Sequence, residues 1–292
     1  MESGAVANDP VHGNDASETP DVTEAQQEYI LGTDRVEMER LRFQHQAWSE
    51  QLDRLLRAAG LREGDTVLDL GCGPGFTTCR LARFVGPRGR VIACDESAAF
   101  VGFLERAAAA ASLTNVEARV GRVEDLDLAA ASIDAAYGRW ILSWLPQVDG
   151  VLARVAAALR PGGKLLLQEY LDWGAMKMLP ANAAFDAAVD ACMRSWAAGG
   201  GTIDISRELP ALALRAGLTL ESLEPVARTG RPGSAVWRWI TEFFESYLPR
   251  LVERGTWSAT ERDACFGELR RLAAAGDAVL LAPLMADTVL RK

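Results

Sequence analysis

The sequence predicts an α/β protein built on a mostly parallel sheet, and three features of the chain support this prediction. After Gly60, short stretches rich in Val, Ile and Leu alternate with longer segments whose apolar residues recur at helical spacing. A glycine-rich turn, 71–75, joins the first stretch to the first helical segment, and a Pro-Gly-Gly turn, 161–163, ends another helix. Strands that alternate with helices are joined by crossovers, which make the sheet parallel and place helices on both of its faces.

Each element is bounded by a turn signal or by a change in hydrophobic period. The predicted strands are 66–70, 90–94, 116–120, 133–137, 164–169, 218–227 and 278–290, the last as an edge strand. The predicted helices between them are 76–84, 98–111, 148–159 and 206–216.

Segments outside this alternation predict additional helices. Residues 23–60 have the pattern of two helices broken near Gly32, and Asp34 with Glu37 resembles a capping box. Ser258 and Glu261 form a similar pair at the start of a later helix. We expect a disordered tail (1–22), an N-terminal helical cap (23–60), a core (61–171), a lid insertion (172–205), a continued core (206–229), a helical lid insertion (230–276) and a last core strand (277–292).

Composition restricts the classes of function. The 292 residues include 31 basic and 40 acidic side chains, a net charge of −9, which argues against a general nucleic-acid partner. The chain has two histidines, His12 and His45, which argues against Ser-His-Asp hydrolysis and histidine-rich metal sites. We therefore expect no metal and no nucleic-acid partner.

Cysteine usage and hydropathy indicate the compartment. The five cysteines are an odd number without a CxxC pair, so we expect reduced thiols in the cytoplasm. No apolar stretch approaches the length of a membrane span, and the N-terminus lacks the pattern of a signal peptide. The expected protein is cytoplasmic, a monomer or homodimer, without a membrane partner.

The turn Gly71-Cys72-Gly73-Pro74-Gly75 is the strongest single motif. It lies between a predicted strand and a helix, where ligands bind in open α/β sheets and where backbone amides favour an anionic group. The glycine spacing is GxGxG, and Phe76 stands where a dinucleotide-binding loop has its third glycine. This spacing disfavours a pyrophosphate ligand and a nicotinamide oxidoreductase.

Acidic residues follow the next two strands. Asp95 ends the second strand about twenty residues beyond the turn, where a carboxylate can accept ribose hydroxyls. Asp125 follows the third strand and could accept a hydrogen bond from an adenine amino group. Either residue alone would be read as a solvated turn acid. Both together, in register with the glycine turn, favour an adenosine-containing ligand.

Here the chain resembles the class I S-adenosylmethionine-dependent methyltransferases. Residues 70–75 are similar to their first motif, Asp95 to the ribose-binding acid, 124–125 to the adenine-side motif, and 159–164 to the turn before the fifth strand. The lead-in, residues 29–45, resembles a bacterial branch near the ubiquinone/menaquinone methyltransferases.

The resemblance implies a Rossmann-like sheet of seven strands with the last inserted antiparallel. It also implies S-adenosylmethionine as cofactor, S-adenosylhomocysteine as product and a small-molecule acceptor. The cofactor-binding residues then expected are Tyr29, Gln44, Asp69, Gly71, Cys72, Gly73, Gly75, Asp95, Glu96, Glu124, Asp125 and Arg139.

Methyl transfer depends on positioning the acceptor, and an aromatic wall attracts the sulfonium cation. Tyr29, Trp140 and Trp144 are candidates for that wall. Glu169, at the end of the fifth strand, and His45 are candidate catalytic bases. The expected substrate-binding residues are Trp140, Trp144, Tyr170, Trp173, Trp196, Trp239 and Phe243.

The acceptor itself stays open at this level. We expect O-methylation of a small organic compound, either a secondary metabolite or a quinone-like aromatic. C- or N-methylation and a non-catalytic S-adenosylmethionine-binding protein are alternatives. A protein or RNA substrate is disfavoured by the acidic charge and by the absence of an (Asn/Asp)-Pro-Pro-Tyr motif at 138–141.

Overall fold

A computed structural model describes residue 1 and residues 35–292 of the chain. The predicted tail, the cap at Asp34 and the candidate Tyr29 lie outside the described residues. The helices are α1 (Arg35–Ala58), α2 (Phe76–Val85), α3 (Ala98–Ala110), α4 (Val148–Ala158), α5 (Ala183–Ala198), α6 (Leu209–Arg215), α7 (Ala235–Glu253) and α8 (Ala259–Ala275). The strands are β1 (Thr66–Leu70), β2 (Arg90–Asp95), β3 (Val116–Val120), β4 (Ile133–Arg139), β5 (Leu159–Asp172), β6 (Lys177–Leu179), β7 (Thr219–Val226), β8 (Thr229–Gly230), β9 (Val279–Leu281) and β10 (Leu284–Arg291).

The main sheet has seven strands in the order β3-β2-β1-β4-β5-β10-β7. Strands β1 to β5 pair in parallel, whereas β10 is antiparallel to both neighbours, β5 and β7. The predicted Rossmann-like sheet with an antiparallel last strand is therefore confirmed. The order reverses between β1 and β4, which is where ligands bind in such sheets.

The prediction of an edge strand at 278–290 was wrong in two respects. Pro283 has no backbone N–H and interrupts the segment, so its first part forms β9 in a separate sheet of order β6-β9-β8. The second part, β10, lies inside the main sheet, where six of its eight residues are buried, and β7 is the edge strand on that side. Both faces of β10 are covered: Val289 packs with α1 and α2, and Leu290 packs with α4 and α6.

Helices cover both faces of the sheet. On one face α1 and α2 bury Val67, Tyr137 and Leu166, and α3 packs beside them. On the other face α4 and α6 bury the alternate residues, such as Leu68 and Leu167. Helix α1 is continuous over its described length.

A second apolar cluster lies beyond the carboxyl end of β5. Helices α5, α7 and α8 pack around Trp173, Trp196 and Phe244, together with Trp48 of α1 and Met285 at the start of β10. Both predicted insertions are thus helical and share one core. We call this unit the helical cap.

No helix in the described part of the chain combines the length and the apolar character needed to cross a membrane. All five cysteines are free thiols, and four of them are buried.

Candidate active site

The glycine turn follows β1, at the reversal of strand order. Gly71, Gly73 and Gly75 all have positive φ angles, at 59°, 53° and 79°. A Cβ at Gly75 would lie 2.3 Å from Leu104 Cδ1, whereas a Cβ at Gly73 would meet no atom within 4 Å. Gly75 is therefore required by packing. Gly73 leaves open space, and Cys72 between them is buried.

Asp95, at the end of β2, reaches across to this turn. Its Oδ2 accepts a hydrogen bond from Gly73 N at 2.8 Å, and its Oδ1 accepts one from Ser97 N at 2.9 Å. Burial raises the pKa of the Asp95 carboxyl, and the two amide donors oppose that rise. The predicted ribose-binding acid thus lies directly beside the open glycine.

The adenine-side candidates lie next along the sheet edge. Glu96 follows Asp95, and Glu124 and Asp125 lie in a short 3₁₀ turn after β3, which pairs with β2. Glu124 accepts a hydrogen bond from Arg122 Nη2 at 2.9 Å, and Asp125 is exposed. Burial and the neighbouring Asp95 raise the pKa of Glu96.

Asp69 lies beneath the glycine turn. It is 2% exposed, and its Oδ2 accepts a hydrogen bond from Thr78 Oγ1 at 2.6 Å. Burial raises its pKa to about 7. Asp69 therefore ties β1 to the first turn of α2, and its direct contact with a cofactor stays a prediction.

On the other side of the turn, Arg139 ends β4. Its Nη2 donates to Thr77 Oγ1 at 3.1 Å, and its guanidinium carbon lies 5.0 Å from the ring centroid of Trp140. The Nη1 atom of Arg139 is buried and has no hydrogen-bond partner among the described residues. A buried N–H of a cation without an acceptor is costly, so this atom marks a place for an anionic group.

His45 of α1 meets the same hydroxyl. Its Nδ1 lies 3.3 Å from Thr77 Oγ1. That hydroxyl also accepts from Arg139, so it joins the guanidinium and the imidazole. Burial, then the charges of Arg139 and Arg80, lower the pKa of His45 to about 3, so the ring is neutral. Gln44 faces a different partner, since its Oε1 accepts from Arg40 Nη1 at 2.7 Å.

Glu169, the other candidate base, is completely buried. Its Oε1 accepts hydrogen bonds from the backbone N–H groups of Ile141 and Leu142, both at 2.9 Å. Its Oε2 makes no hydrogen bond of standard geometry among the described residues. Burial raises the pKa of Glu169 to about 7, and the backbone N–H groups of Leu142, Ile141 and Ser143 oppose that rise. The carboxylate therefore holds a backbone turn, and its role as a base stays untested.

Trp140 begins the aromatic wall and has an unusual backbone. Its φ is +52°, which side chains other than glycine rarely adopt. Its ring centroid lies 5.6 Å from that of Trp48, 6.1 Å from that of Tyr170 and 5.7 Å from that of Trp239. Strained backbone at the end of a central strand is common at functional sites.

The wall continues into the helical cap. The Trp144 and Trp196 ring centroids lie 4.2 Å apart, and Trp173 lies 5.4 Å from Phe243. The indole N–H groups of Trp48, Trp173 and Trp196 are buried without a hydrogen-bond partner among the described residues. The substrate-binding residues predicted from the sequence thus belong to one contiguous aromatic cluster, in which Trp173, Trp196 and Trp239 are buried; their contact with a substrate stays a prediction.

Sequence reasoning missed Thr77, Thr78 and Ile141. The two threonines lie in the first turn of α2, directly after the glycine turn, and that position was the available signal. Nothing local in the sequence indicates that Ile141 contacts the glycine turn.

An open groove of about 650 Å³ lies between α1 and strands β7 and β10, and it is lined by Gln51, Arg228 and Asp287 among others. None of the predicted site residues lines it. The reversal of strand order lies at the glycine turn instead, beside the unpaired N–H of Arg139 at the end of β4, so the turn is the candidate functional site.

Comparisons with known proteins agree with this placement. A family described as a methyltransferase domain matches residues 67–163. The chain is 33% identical over 186 residues to an uncharacterized protein in a transposon of Streptomyces fradiae, with 62% of this chain and 51% of that protein covered. It is 30% identical over 214 residues to the 27-O-demethylrifamycin SV methyltransferase of Amycolatopsis mediterranei, with 71% of this chain and 72% of that enzyme covered.

Among solved structures, the cyclase SpnF superposes with a TM-score of 0.56 at 19% identity, with 83% of this chain and 80% of that chain covered. This likeness concerns the fold alone. The match covers between 28% and 51% of the length of three of the curated relatives with the highest similarity.

Fold and glycine turn together define a Rossmann-like protein that binds S-adenosylmethionine. The chain belongs to the class I S-adenosylmethionine-dependent methyltransferase family. The residues present fit that cofactor, because Gly73 leaves room for close approach and Arg139 Nη1 lacks an acceptor.

Proposed function

We propose that this protein transfers a methyl group from S-adenosylmethionine to a small organic acceptor, by O-methylation of a secondary metabolite or a quinone-like aromatic compound. The observation that carries the proposal is the glycine turn with Asp95 on one side and the unpaired Arg139 N–H on the other. When bound, the cofactor supplies an electrophilic methyl group on a sulfonium cation.

In this proposal each side of the turn binds one part of the cofactor. Asp95 would exchange its bond from Gly73 N for the ribose hydroxyls, and Asp125 would accept from the adenine amino group. Arg139 would donate its Nη1 to the cofactor's carboxylate, while Thr77 holds its Nη2. Hydrogen bonds to charged groups of this kind contribute roughly 1.5–3 kcal/mol each.

The acceptor would bind against the aromatic surface of Trp140 and the helical cap. Apolar walls exclude water and orient a flat compound, which is the main requirement of an in-line displacement. The unpaired indole N–H groups of Trp48, Trp173 and Trp196 would donate to acceptor oxygens, which supports an oxygenated compound. The cap insertions, 172–205 and 230–276, would serve as the lid.

Neither candidate base is well suited to take a proton from a substrate in this arrangement. Burial lowers the pKa of His45 to about 3, which makes it a weak base, and Glu169 is fully buried behind its amide partners. We therefore favour an acceptor whose hydroxyl is acidic enough to lose its proton without a strong base.

Named relatives support oxygen as the methylated atom. The rifamycin enzyme acts on a demethylated oxygen by its name, and a nocamycin O-methyltransferase of Saccharothrix syringae is 34% identical over 112 residues. A 2-phytyl-1,4-naphtoquinone methyltransferase of Synechococcus elongatus is 31% identical over 121 residues, which keeps quinone-like acceptors within the proposal.

A second candidate is a family member that binds the cofactor without transferring its methyl group. The shared fold of SpnF, a cyclase by name, favours keeping this candidate. Release of S-adenosylhomocysteine in the presence of an acceptor panel separates the two functions. The free cysteines support the proposed cytoplasmic location, and the acidic charge supports a partner other than nucleic acid.

Calorimetry with S-adenosylmethionine and S-adenosylhomocysteine tests the cofactor half of the proposal. We expect micromolar binding to the wild type, at least tenfold weaker binding to Asp95→Ala and loss of binding in Gly73→Asp. Asp127→Ala removes an exposed acid of the same charge and is the matched control. Failure of the wild type to bind either compound would overturn the proposed function.

A further inference from the structure

We propose that Glu169 is a positioning residue. Its carboxylate accepts hydrogen bonds from the turn 140–143 and so fixes the position of the aromatic wall relative to the glycine turn. The inference rests on the proposed function for its catalytic meaning, whereas the hydrogen bonding itself is a property of the fold. In this proposal Glu169 holds the backbone in place and does not act as a catalytic base.

The first support is the hydrogen bonding of the carboxylate. One oxygen of Glu169 accepts from two successive amides, Ile141 N and Leu142 N, both at 2.9 Å. Leu142 is fully buried, so water cannot replace this acceptor. Without Glu169, the two amides of the turn have no acceptor inside the protein. Unpaired buried amides are costly, so the turn would no longer be stable in this conformation.

The second support is the contact that the turn 140–143 makes with the glycine turn. Ile141 lies so close to the glycine loop that a Cβ at Gly71 would come within 2.6 Å of Ile141 Cδ1. A Cβ at Gly138, in β4, would come within 3.0 Å of Ile141 Cγ2. Ile141 therefore packs between Gly71, the first residue of the glycine turn, and β4. A shift of the turn 140–143 would move Ile141 against the glycine turn.

The third support is the conformation of Trp140. Its φ of +52° costs free energy and persists only when the surroundings enforce it. Trp140 N donates to Gln168 O at 3.1 Å, and the next two amides donate to Glu169. Three successive amides are thus held by two neighbouring residues of β5. This hydrogen bonding orients the Trp140 ring, which contacts Trp48, Tyr170 and Trp239 in the acceptor wall.

A matched pair of substitutions separates the positioning role from a base. In Glu169→Gln the amide oxygen can still accept from the Ile141 and Leu142 N–H groups, and only the weaker interaction of the carboxylate with the Ser143 N–H is lost. In Glu169→Ala no acceptor remains. We expect Glu169→Gln to bind S-adenosylhomocysteine within about twofold of the wild type and Glu169→Ala to bind it at least tenfold more weakly.

Hydrogen exchange of the intact protein, read out on the segment 139–146, tests the hydrogen bonds of Glu169 without any ligand. We expect slow exchange of the Ile141 and Leu142 amides in the wild type and in Glu169→Gln, and fast exchange in Glu169→Ala. Val289→Ala, in the buried core on the face of the sheet opposite Leu142, controls for general loss of stability; its turn 140–143 should exchange slowly and its ligand affinity should stay at the wild-type level.

The outcomes are distinct. Equal exchange in Glu169→Ala and the wild type would overturn the positioning role, as would a Glu169→Gln variant that behaves like Glu169→Ala. Unchanged binding and exchange in Glu169→Gln with loss of turnover would restore the catalytic base and remove the purely mechanical role. A wild type that does not bind the ligand would count against the proposed function, while the exchange data would still decide the positioning role.

Discussion

At the scale of single residues, Thr77 brings together the charged and titratable side chains on one side of the glycine turn. Its one hydroxyl accepts from Arg139 and faces His45, so a half-buried cation and a neutral imidazole share a single atom. The Arg139 Nη1 that remains unpaired is the most specific feature that the described residues offer to an anion.

Arg139→Met keeps the length of the side chain and removes its donors. We expect the affinity for S-adenosylhomocysteine to fall about tenfold or more, because a hydrogen bond to a charged group is lost. The affinity for methylthioadenosine, which lacks the carboxylate, should change by less than about threefold. Calorimetry with both ligands gives the comparison.

Arg80→Met is the control for this experiment, since Arg80 is also near His45 but pairs with Asp53. Equal losses for both ligands in Arg139→Met would contradict a carboxylate contact and point to general damage of the loop.

At the scale of elements, the helices of the cap depend on local capping. Ser258 accepts from Glu261 N while the Glu261 side chain accepts from Ser258 N, a complete capping box at the start of α8. This pair is recognisable in the sequence because its spacing is local. The break between β9 and β10 at Pro283 is local as well, but the placement of β10 between β5 and β7 depends on long-range pairing.

Ser258→Ala should destabilise the protein by about 1 kcal/mol, the usual effect of losing an N-cap hydroxyl, and Ser258→Asp should be nearly neutral. Urea unfolding measures both changes. Thr260→Ala, two residues into the same exposed turn, is the control and should change the free energy of unfolding by less than about 0.5 kcal/mol. A Ser258→Ala protein as stable as the wild type would show that the cap contributes nothing.

At the scale of the whole molecule, buried ionisable groups shape the dependence of stability on pH. Burial raises the pKa of Glu169 and Asp69 to about 7, so the native state binds protons that the unfolded state releases between about pH 4.5 and 7. Their contribution to the free energy of unfolding is present below their ordinary pKa values and is lost as the pH rises through 7. His45 acts in the opposite sense, since its pKa falls from 6.5 to about 3 and stability is lost as the pH falls through that window.

Glu169→Gln removes one of these groups and should flatten the loss of stability at rising pH. Relative to the wild type, we expect the variant to gain up to about 3 kcal/mol in free energy of unfolding between pH 4.5 and 7.5, at 1.36 kcal/mol for each unit of pKa shift. Urea denaturation at the two pH values measures the difference. A stability difference that is the same at both would contradict a raised pKa.

Much of the fold, and the places of several candidate site residues in it, could be predicted from the sequence. The glycine turn, Asp95 and the acids after β3 were predicted because each follows the end of a strand, and the carboxyl ends of parallel strands meet at one edge of a sheet. The prediction that Glu169 ends β5 was wrong, because pairing with β10 extends the strand to Asp172. Its position in the sequence also could not show that its carboxylate turns inward to backbone amides.

The sequence by itself determined the alternation of strands and helices, the left-handed glycines of the cofactor loop and the capping box, because these follow from spacing over a few residues. Only the tertiary structure decided that His45, Thr77 and Arg139 converge and that β10 lies inside the sheet. Those contacts join residues far apart in the chain. Burial of apolar surface brings these residues together, and each buried polar group then pairs with the partner that the fold places beside it.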